Sequence, residues 1–537
     1  MGRGGSLVAR ILVTEVLGDE ALSILHREAE VEAHDLMDDG EYRARLGEFD
    51  AVIVRSAHRV TRANLQAAPR LRVAARAGTG VDNIDVEAAT DAGVLVLNTP
   101  GANAQAAAEH TFGLLLALAR HVRRADRHVR EGGWERSAFF GAEMRGRRLG
   151  IIGIGRVGRE VARFGRAFGM SLMAYDPYVP DEVFAAYGAA RAQSLAEVVG
   201  ASDVLTIHTP KSGPRLGLEE LSRLPAGAFV LNVARGGLVD ESAVAELLAR
   251  GHLAGAAFDV FATEPPGPGH PLLLREDTLL TCHLGGSTYE AQERIGVRIA
   301  EDVLRVLRGE APEDPVNLPY PPPEVARAED VLYAGASVGR ILGALGPPGP
   351  SLTVTARGAF PGEALALAGR AAAAGLLGLA GDDGVNPVNA LARLHHRGLT
   401  LETAREEGGG AARLLSARFG GGAPVEVALG EGGAPRLRGA LGARFDLPLG
   451  PALLFTRHLD RPGLVGRVGT LLGEAGVNIA ALELGRDRPG GEAVMAMVLD
   501  APAPRAVTER LASVAGIEAA VAVDLGAGPA GGAPSHG

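Results

Sequence analysis

The chain is 537 residues long, more than one hydrophobic core usually supports, so several domains are expected. Hydrophobic residues make up 47% and charged residues 22%, as in globular proteins rather than disordered ones. A net charge of −10 without a basic stripe argues against nucleic-acid binding, and a single cysteine, Cys282, excludes an internal disulfide and fits a reducing cytoplasm.

Segment 9–17, A-R-I-L-V-T-E-V-L, carries Arg10 and Glu15 and reads as a strand rather than a signal peptide. Strand 11–16, helix 21–28, strand 51–54 and strands 72–75 and 94–98 follow. Short apolar strands alternating with helices predict a parallel sheet. A long helix is expected over 104–130, with Leu114, Leu115, Leu118 and Val122 on its buried face. A second series begins at 148, with strands at 149–152, 171–175, 204–208, 229–233, 255–258 and 278–281. Six strands separated by helices form the doubly wound dinucleotide-binding pattern. Helix 288–308 then returns the chain to the first domain. That makes the first domain discontinuous, 1–100 with 285–315, around a nucleotide domain at 101–284.

The proline-rich run 317–324 marks a boundary, and region 325–450, with glycine clusters at 408–410 and 420–422, carries no chemical motif. Within it, 364–380 is apolar but holds Arg370 and falls short of the ~20 residues of a membrane span. The module 451–526 predicts β-α-β-β-α-β, a ferredoxin-like order, and the Gly/Ala/Pro-rich end 527–537 predicts disorder.

The run G-I-G-R-V-G follows strand 149–152 and opens a helix, the context a dinucleotide fingerprint requires. Gly153 permits the tight turn, Gly155 the approach of a pyrophosphate, and Gly158 close helix–strand packing. The helix N-terminus offers amides to phosphates. Asp176 ends the next strand, 18 residues past Gly158, where a carboxylate binds ribose hydroxyls and repels a 2′-phosphate. NAD is therefore the expected cofactor, and no metal is called for.

Hydride transfer from a 2-hydroxy acid needs a base, a carboxylate to tune it and a cation for the substrate carboxylate. Three segments following strands supply them: Arg235 in N-V-A-R-G-G-L-V-D-E, Glu264 in D-V-F-A-T-E-P-P and His283 in T-C-H-L-G-G-S-T. Arg235 can grip a carboxylate with two donors. His208, in T-I-H-T-P, reads as a wall residue rather than a second base.

Together with R-A-G-T-G-V-D-N-I-D at 76–85, N-T-P-G-A-N at 98–103, A-A-E-H-T at 107–111 and W-E-R at 134–136, these segments resemble the D-isomer-specific 2-hydroxyacid dehydrogenases over residues 10–315. The resemblance implies that His283 is the acid/base, Glu264 its partner and Arg235 the carboxylate-orienting residue. It further implies cofactor contacts at Thr79, Arg156, Val157, Asp176, Thr209, Val233, Ala234, Arg235, Asp259, His283, Gly285 and Gly286. Cys282 and Gly286 depart from the proline and alanine common in the family. Arg55, Ser56, Gly78 and Asn103 are candidates for binding the substrate, with Arg136 reaching in from a neighbouring subunit.

The sequence from His458, H-L-D-R-P-G followed by L-V-G-R-V-G-T-L-L-G-E-A-G-V-N-I-A, resembles an ACT domain, which implies a small-molecule effector. His458, Asp460 and Asn478 are its candidate contacts. Within the family the likeness is to members that oxidise 3-phospho-D-glycerate to 3-phosphooxypyruvate at the start of L-serine synthesis. That implies L-serine as effector, an α+β intervening domain at 325–450 and a cytoplasmic homotetramer built from dimers. Two other readings fit the shared fold: a glyoxylate or hydroxypyruvate reductase, and a non-enzymatic NAD-sensing corepressor. The acidic balance and the regulatory tail favour the metabolic enzyme. Reduction of 2-oxo acids such as 2-oxoglutarate is an expected side activity.

Overall fold

The first sheet is built from five short apolar strands, β1 (Arg10–Val13), β2 (Glu30–Ala33), β3 (Ala51–Val54), β4 (Val73–Arg76) and β5 (Leu95–Leu97). All pair in parallel in the order β2-β1-β3-β4-β5. This computed structural model describes residues 8–320, 327–347, 349–382, 384–406, 413–430 and 435–526. The glycine cluster at 408–410, the end of the proline-rich run and the tail 527–537 lie outside the described residues. Alternation does not reveal β2, because E-V-E-A occupies a half-exposed sheet edge and buries no apolar face.

Helix Tyr289–Arg308 packs on the first sheet, burying Ile295, Ile299, Ala300 and Val303 in its core. Thr288 caps its start by accepting the Ala291 amide, and Gly309 ends it in the left-handed region, φ 83°. Each fully buried isoleucine there contributes about 2 kcal/mol.

The second sheet contains β6 (Arg148–Ile152), β7 (Ser171–Tyr175), β8 (Ala189–Arg191), β9 (Val204–Ile207), β10 (Ala228–Asn232), β11 (Leu253–Phe258) and β12 (Thr278–Leu280). It is parallel throughout, in the order β12-β11-β10-β9-β6-β7-β8. The strand order reverses at β6, which places a ligand crevice at its carboxyl end. Three-residue β8 is a seventh strand that its short sequence, A-A-R, does not announce.

The long helix expected over 104–130 is two helices, Ala104–Ala119 and Val122–Arg130. His121 breaks it at φ 53°, and Val122, expected on the buried face, is exposed. The sequence V-R-R-A-D-R-H-V-R is too polar to continue a core helix, so the apolar stripe stops at Leu118.

The third unit has helices Ala328–Leu345, Gly362–Leu379 and Ala390–His396 against six strands: β13 (Ser351–Arg357), β14 (Thr400–Glu406), β15 (Arg413–Phe419), β16 (Val425–Leu429), β17 (Arg436–Ala440) and β18 (Ala443–Pro448). Their order is β14-β13-β15-β16-β17-β18, with only β13 and β14 parallel. Helix Gly362–Leu379 is long and apolar enough to cross a membrane, yet its residues are mostly buried against Ala328–Leu345 and the sheet. Asn386 joins this unit to the first by donating to the Gly93 carbonyl at 2.8 Å.

The fourth unit is a sheet of β19 (Ala452–Leu459), β20 (Ile479–Arg486), β21 (Glu492–Leu499) and β22 (Ile517–Asp524), with helices Leu464–Glu474 and Arg505–Ala512. Its antiparallel order, β20-β21-β19-β22, is ferredoxin-like.

Candidate active site

The cofactor cradle forms where β6 turns into helix Arg156–Ala167. Gly153 has φ 89°, and a side chain there would meet the His208 carbonyl at 2.6 Å; one on Gly158 would collide with the Gly153 carbonyl. Gly155 caps the helix with no side chain and open space around its Cα, so the first helical amides remain free for phosphates. Asp176 is oriented by the amides of Ile154 (3.1 Å) and Tyr178 (3.0 Å). Thr209, beside this turn, has a buried hydroxyl with no hydrogen-bond partner among the described residues. An uncapped helix start, an open glycine and a fixed carboxylate fit a dinucleotide. Burial pushes the His208 imidazole down to about 4, so it is neutral near pH 7.

Asp259, 1% exposed just past β11, organises the loop that carries His283. It accepts from His110 Nε2 (3.2 Å), Thr281 Oγ1 (2.6 Å) and the amides of Leu284 (2.7 Å) and Gly285 (2.8 Å). Burial opposes its charge, but these donors outweigh it and hold the carboxyl down to about 2. Its contribution to stability is therefore complete above the ordinary aspartate range near pH 4 and is lost as pH falls toward 2. Asp259→Asn is expected to destabilise the fold by about 2 kcal/mol at pH 7. In calorimetry the gap in Tm from the parent should narrow between pH 4 and 2.

The same aspartate presents His283, whose amide donates to the Asp259 carbonyl at 2.8 Å and whose φ is 59°. His283 Nδ1 lies 2.9 Å from Glu264 Oε2, and Glu264 Oε1 accepts the Phe261 amide at 3.0 Å. With both carboxylate oxygens engaged, the imidazole is oriented and Nε2 is left for a substrate proton. A cavity of about 670 Å³ lined by Phe261, Leu273 and Leu284 opens beside this pair. The larger cavity, about 2350 Å³, lies away from it, between the end of helix Tyr289–Arg308 and the third unit.

Arg235, past β10, reaches the loops of the first sheet. Its Nε donates to Asp82 Oδ2 at 3.1 Å and its Nη1 to the Ala234 carbonyl at 2.8 Å. Its Nη2 lies so close to Gly80 that any side chain there would strike it. Arg76 braces the same loop through the carbonyls of Gly80 and, at 2.9 Å, Arg55. Burial, and then the proximity of Arg235, lower the Arg76 pKa.

Of the other expected residues, Asn103 accepts Thr79 Oγ1 at 2.7 Å, and Asn98 Nδ2 reaches the Thr79 carbonyl at 2.5 Å. The Gly78 amide returns to the Arg76 carbonyl at 2.8 Å. Arg55 donates to the Val16 carbonyl at 3.1 Å and to Gln292 Oε1, while Ser56 is exposed. Val157 and Ala234 are half-buried, Val233 and Gly285 are buried, and Arg156 is exposed. Gly286 gives its carbonyl to Gln292 Nε2 at 2.7 Å. Arg136 is exposed in the turn Arg136–Phe139, near exposed Trp134 and Phe140. Sequence reasoning misses Glu15, Asp82, His110 and Gln292, whose partners are far away in the chain.

The three effector candidates do not meet within one chain. His458 is buried, 3.2 Å from Thr456 Oγ1, and Asp460 pairs with Arg486 at 2.7 Å. Burial lowers the His458 pKa, and Arg486 together with the Gly490 amide lowers that of Asp460. Asn478 donates to Asp500 at 2.7 Å. His458 pairs with Ala493 near the start of β21, whereas Ile479, next to Asn478, pairs with Leu499 at its end. Six residues of β21 separate these positions, about 20 Å at the rise of a strand. A βαβ crossover brings a chain back to the opposite end of the sheet, a separation that motif spacing hides.

Residues 112–285 match the family model described as D-isomer specific 2-hydroxyacid dehydrogenase, NAD binding domain, and residues 452–516 match the ACT domain. The D-3-phosphoglycerate dehydrogenase of Methanocaldococcus jannaschii is 36% identical over 526 residues, 96% of this chain and 100% of that one. That of Mycobacterium tuberculosis is 38% identical over 527 residues, 96% and 99% of the two chains. This chain belongs to the D-3-phosphoglycerate dehydrogenase family. Among solved structures, the TT0316 protein of Thermus thermophilus is similar at 36% identity and TM-score 0.53, covering 57% of this chain and 99% of its own. A glyoxylate reductase from Paecilomyes thermophila is similar at 27% identity and TM-score 0.53, over 58% and 98%. The family is NAD-dependent, and the cradle around Gly153–Gly158 and Asp176 fits that cofactor.

Proposed function

We propose that this protein oxidises 3-phospho-D-glycerate to 3-phosphooxypyruvate with NAD, the first committed step of L-serine synthesis, and reduces 2-oxo acids such as 2-oxoglutarate as a side activity. The 2.9 Å His283–Glu264 pair, at the carboxyl edge of the dinucleotide sheet that also carries Arg235, carries this reading. Nε2 of His283 takes the proton of the 2-hydroxyl, and Glu264 offsets the imidazolium charge that follows. Arg235 and the amides of the Gly78–Gly80 loop hold the substrate carboxylate. NAD, when bound, supplies the hydride acceptor. Asp176 favours ribose hydroxyls over a 2′-phosphate.

In the reading we favour, the substrate domain comprises 1–100 and 285–315, the NAD domain 101–284, the intervening domain 325–450 and the regulatory domain 451–526. Arg136, exposed near Trp134, supports a contribution from a neighbouring copy in a cytoplasmic homotetramer built from dimers. L-Serine is the proposed effector. A ligand touching His458, Asp460 and Asn478 together has to bind between two copies, because a strand length separates Asn478 from the other two in one.

NADH absorbance should rise when the protein meets 3-phospho-D-glycerate and NAD at alkaline pH. No rise, with turnover of glyoxylate instead, would make it a glyoxylate reductase. L-Serine should inhibit the parent and not Asp460→Ala; equal sensitivity of the two would remove the effector assignment.

A further inference from the structure

Glu15 is a buried carboxylate that the chemistry above does not use. It follows β1, is 8% exposed and pairs with no arginine among the described residues. Its oxygens instead accept four successive backbone amides: Arg55 at 2.9 Å, Ser56 at 3.1 Å, Ala57 at 3.1 Å and His58 at 3.4 Å. Burial raises its pKa, yet these amides outweigh burial and keep it ionised. The opposite side of the loop is also held. The Arg55 carbonyl accepts Arg76 Nε and Asn83 Nδ2, both at 2.9 Å, and the His58 carbonyl accepts Asn83 Nδ2 at 2.6 Å. Below the loop, His58 Nε2 meets the Met37 carbonyl at 2.9 Å and its Nδ1 sits 3.6 Å from Glu15.

Four amides converging on one anion fix a backbone more tightly than neutral turns do. The fixed segment starts with Arg55 and Ser56 and adjoins Arg76, whose neighbours include Arg235. We propose that Glu15 is a positioning residue for substrate binding, its carboxylate holding residues 55–58 in the conformation in which Arg55 and Ser56 meet the substrate. This rests on the reading of Arg55 and Ser56 as substrate-binding residues. Glutamine has the same shape, but its NH₂ group would face amide donors, so a role in packing and a role in anchoring give different results.

The test is steady-state kinetics of Glu15→Gln and Glu15→Asp, with NADH affinity measured alongside. Glu15→Gln should raise KM for 3-phospho-D-glycerate by about tenfold or more, the loss of roughly one strong hydrogen bond. Its kcat should stay within about threefold and its NADH affinity should not change. Glu15→Asp keeps the charge on a shorter stem and should raise KM less; if Glu15→Gln does not fold, a KM rise in Glu15→Asp decides. An unchanged KM, or equal losses in KM, kcat and NADH affinity, would overturn the proposal. A parent enzyme inactive on 3-phospho-D-glycerate would overturn the functional reading instead, and the KM shift on the 2-oxo acid it does reduce would still judge Glu15.

Discussion

Replacing His283 with alanine is expected to lower kcat by about 10³ while NADH still binds. The expectation rests on how completely the surroundings commit this ring. Its backbone is pinned to Asp259 in a left-handed conformation, and Nδ1 is taken by Glu264. Only Nε2 remains, and the proposed base, with one available nitrogen and a fixed ring, is oriented for proton transfer. Alanine removes the proposed proton acceptor and leaves the Asp259 network, which uses backbone amides and Thr281, in place. Single-turnover rates and NADH fluorescence titration separate the two effects. Near-parent turnover in His283→Ala would assign the base elsewhere, and His208, neutral and bound to Thr206 Oγ1 at 2.9 Å, would be the next residue to replace.

Arg235→Lys should cost nearly as much, about 10²–10³ in kcat/KM, despite keeping the charge. The guanidinium uses separate donors for separate tasks: Nε for Asp82, Nη1 for the Ala234 carbonyl and Nη2 for the Gly80 side of the cleft. A lysine ammonium is one point of charge and cannot hold Asp82 and a substrate carboxylate in fixed directions at once. The loss should appear in KM for the hydroxy acid and in kcat, with NAD affinity preserved. If Arg235→Lys kept parent kcat/KM, charge alone would suffice and the donor geometry would be irrelevant.

Much of the candidate site is legible in the sequence because its residues lie just past strand ends. Gly153–Gly158, Asp176, Arg235 and His283 each follow a strand whose apolar run is read directly, and parallel sheets gather such ends on one edge. What supports them is not legible, because it crosses the chain. Glu15 binds amides 40 to 43 residues away, Asp82 meets Arg235 across 153 residues, and Arg55 meets Gln292 across 237. No local pattern distinguishes these from surface polar residues. Edge strands β2 and β8 escape notice because neither sequence has a face to bury. Helix 104–130 is overextended because the polarity of 122–130 marks the end of the apolar stripe, while the left-handed break at His121 has no glycine or proline to signal it.

The loop after His283 divides its loyalties within two adjacent residues. The Gly285 amide is bound to Asp259 of the second sheet, while the Gly286 carbonyl is bound to Gln292, on the helix packed against the first. Any swing of one sheet against the other would bear on this glycine pair and on the other chain crossing, between Leu97 and Ala104. The His283–Glu264 pair sits with the cofactor cradle on the second sheet, whereas the loops after β3 and β4 that carry Arg55, Ser56 and Gly78 belong to the first.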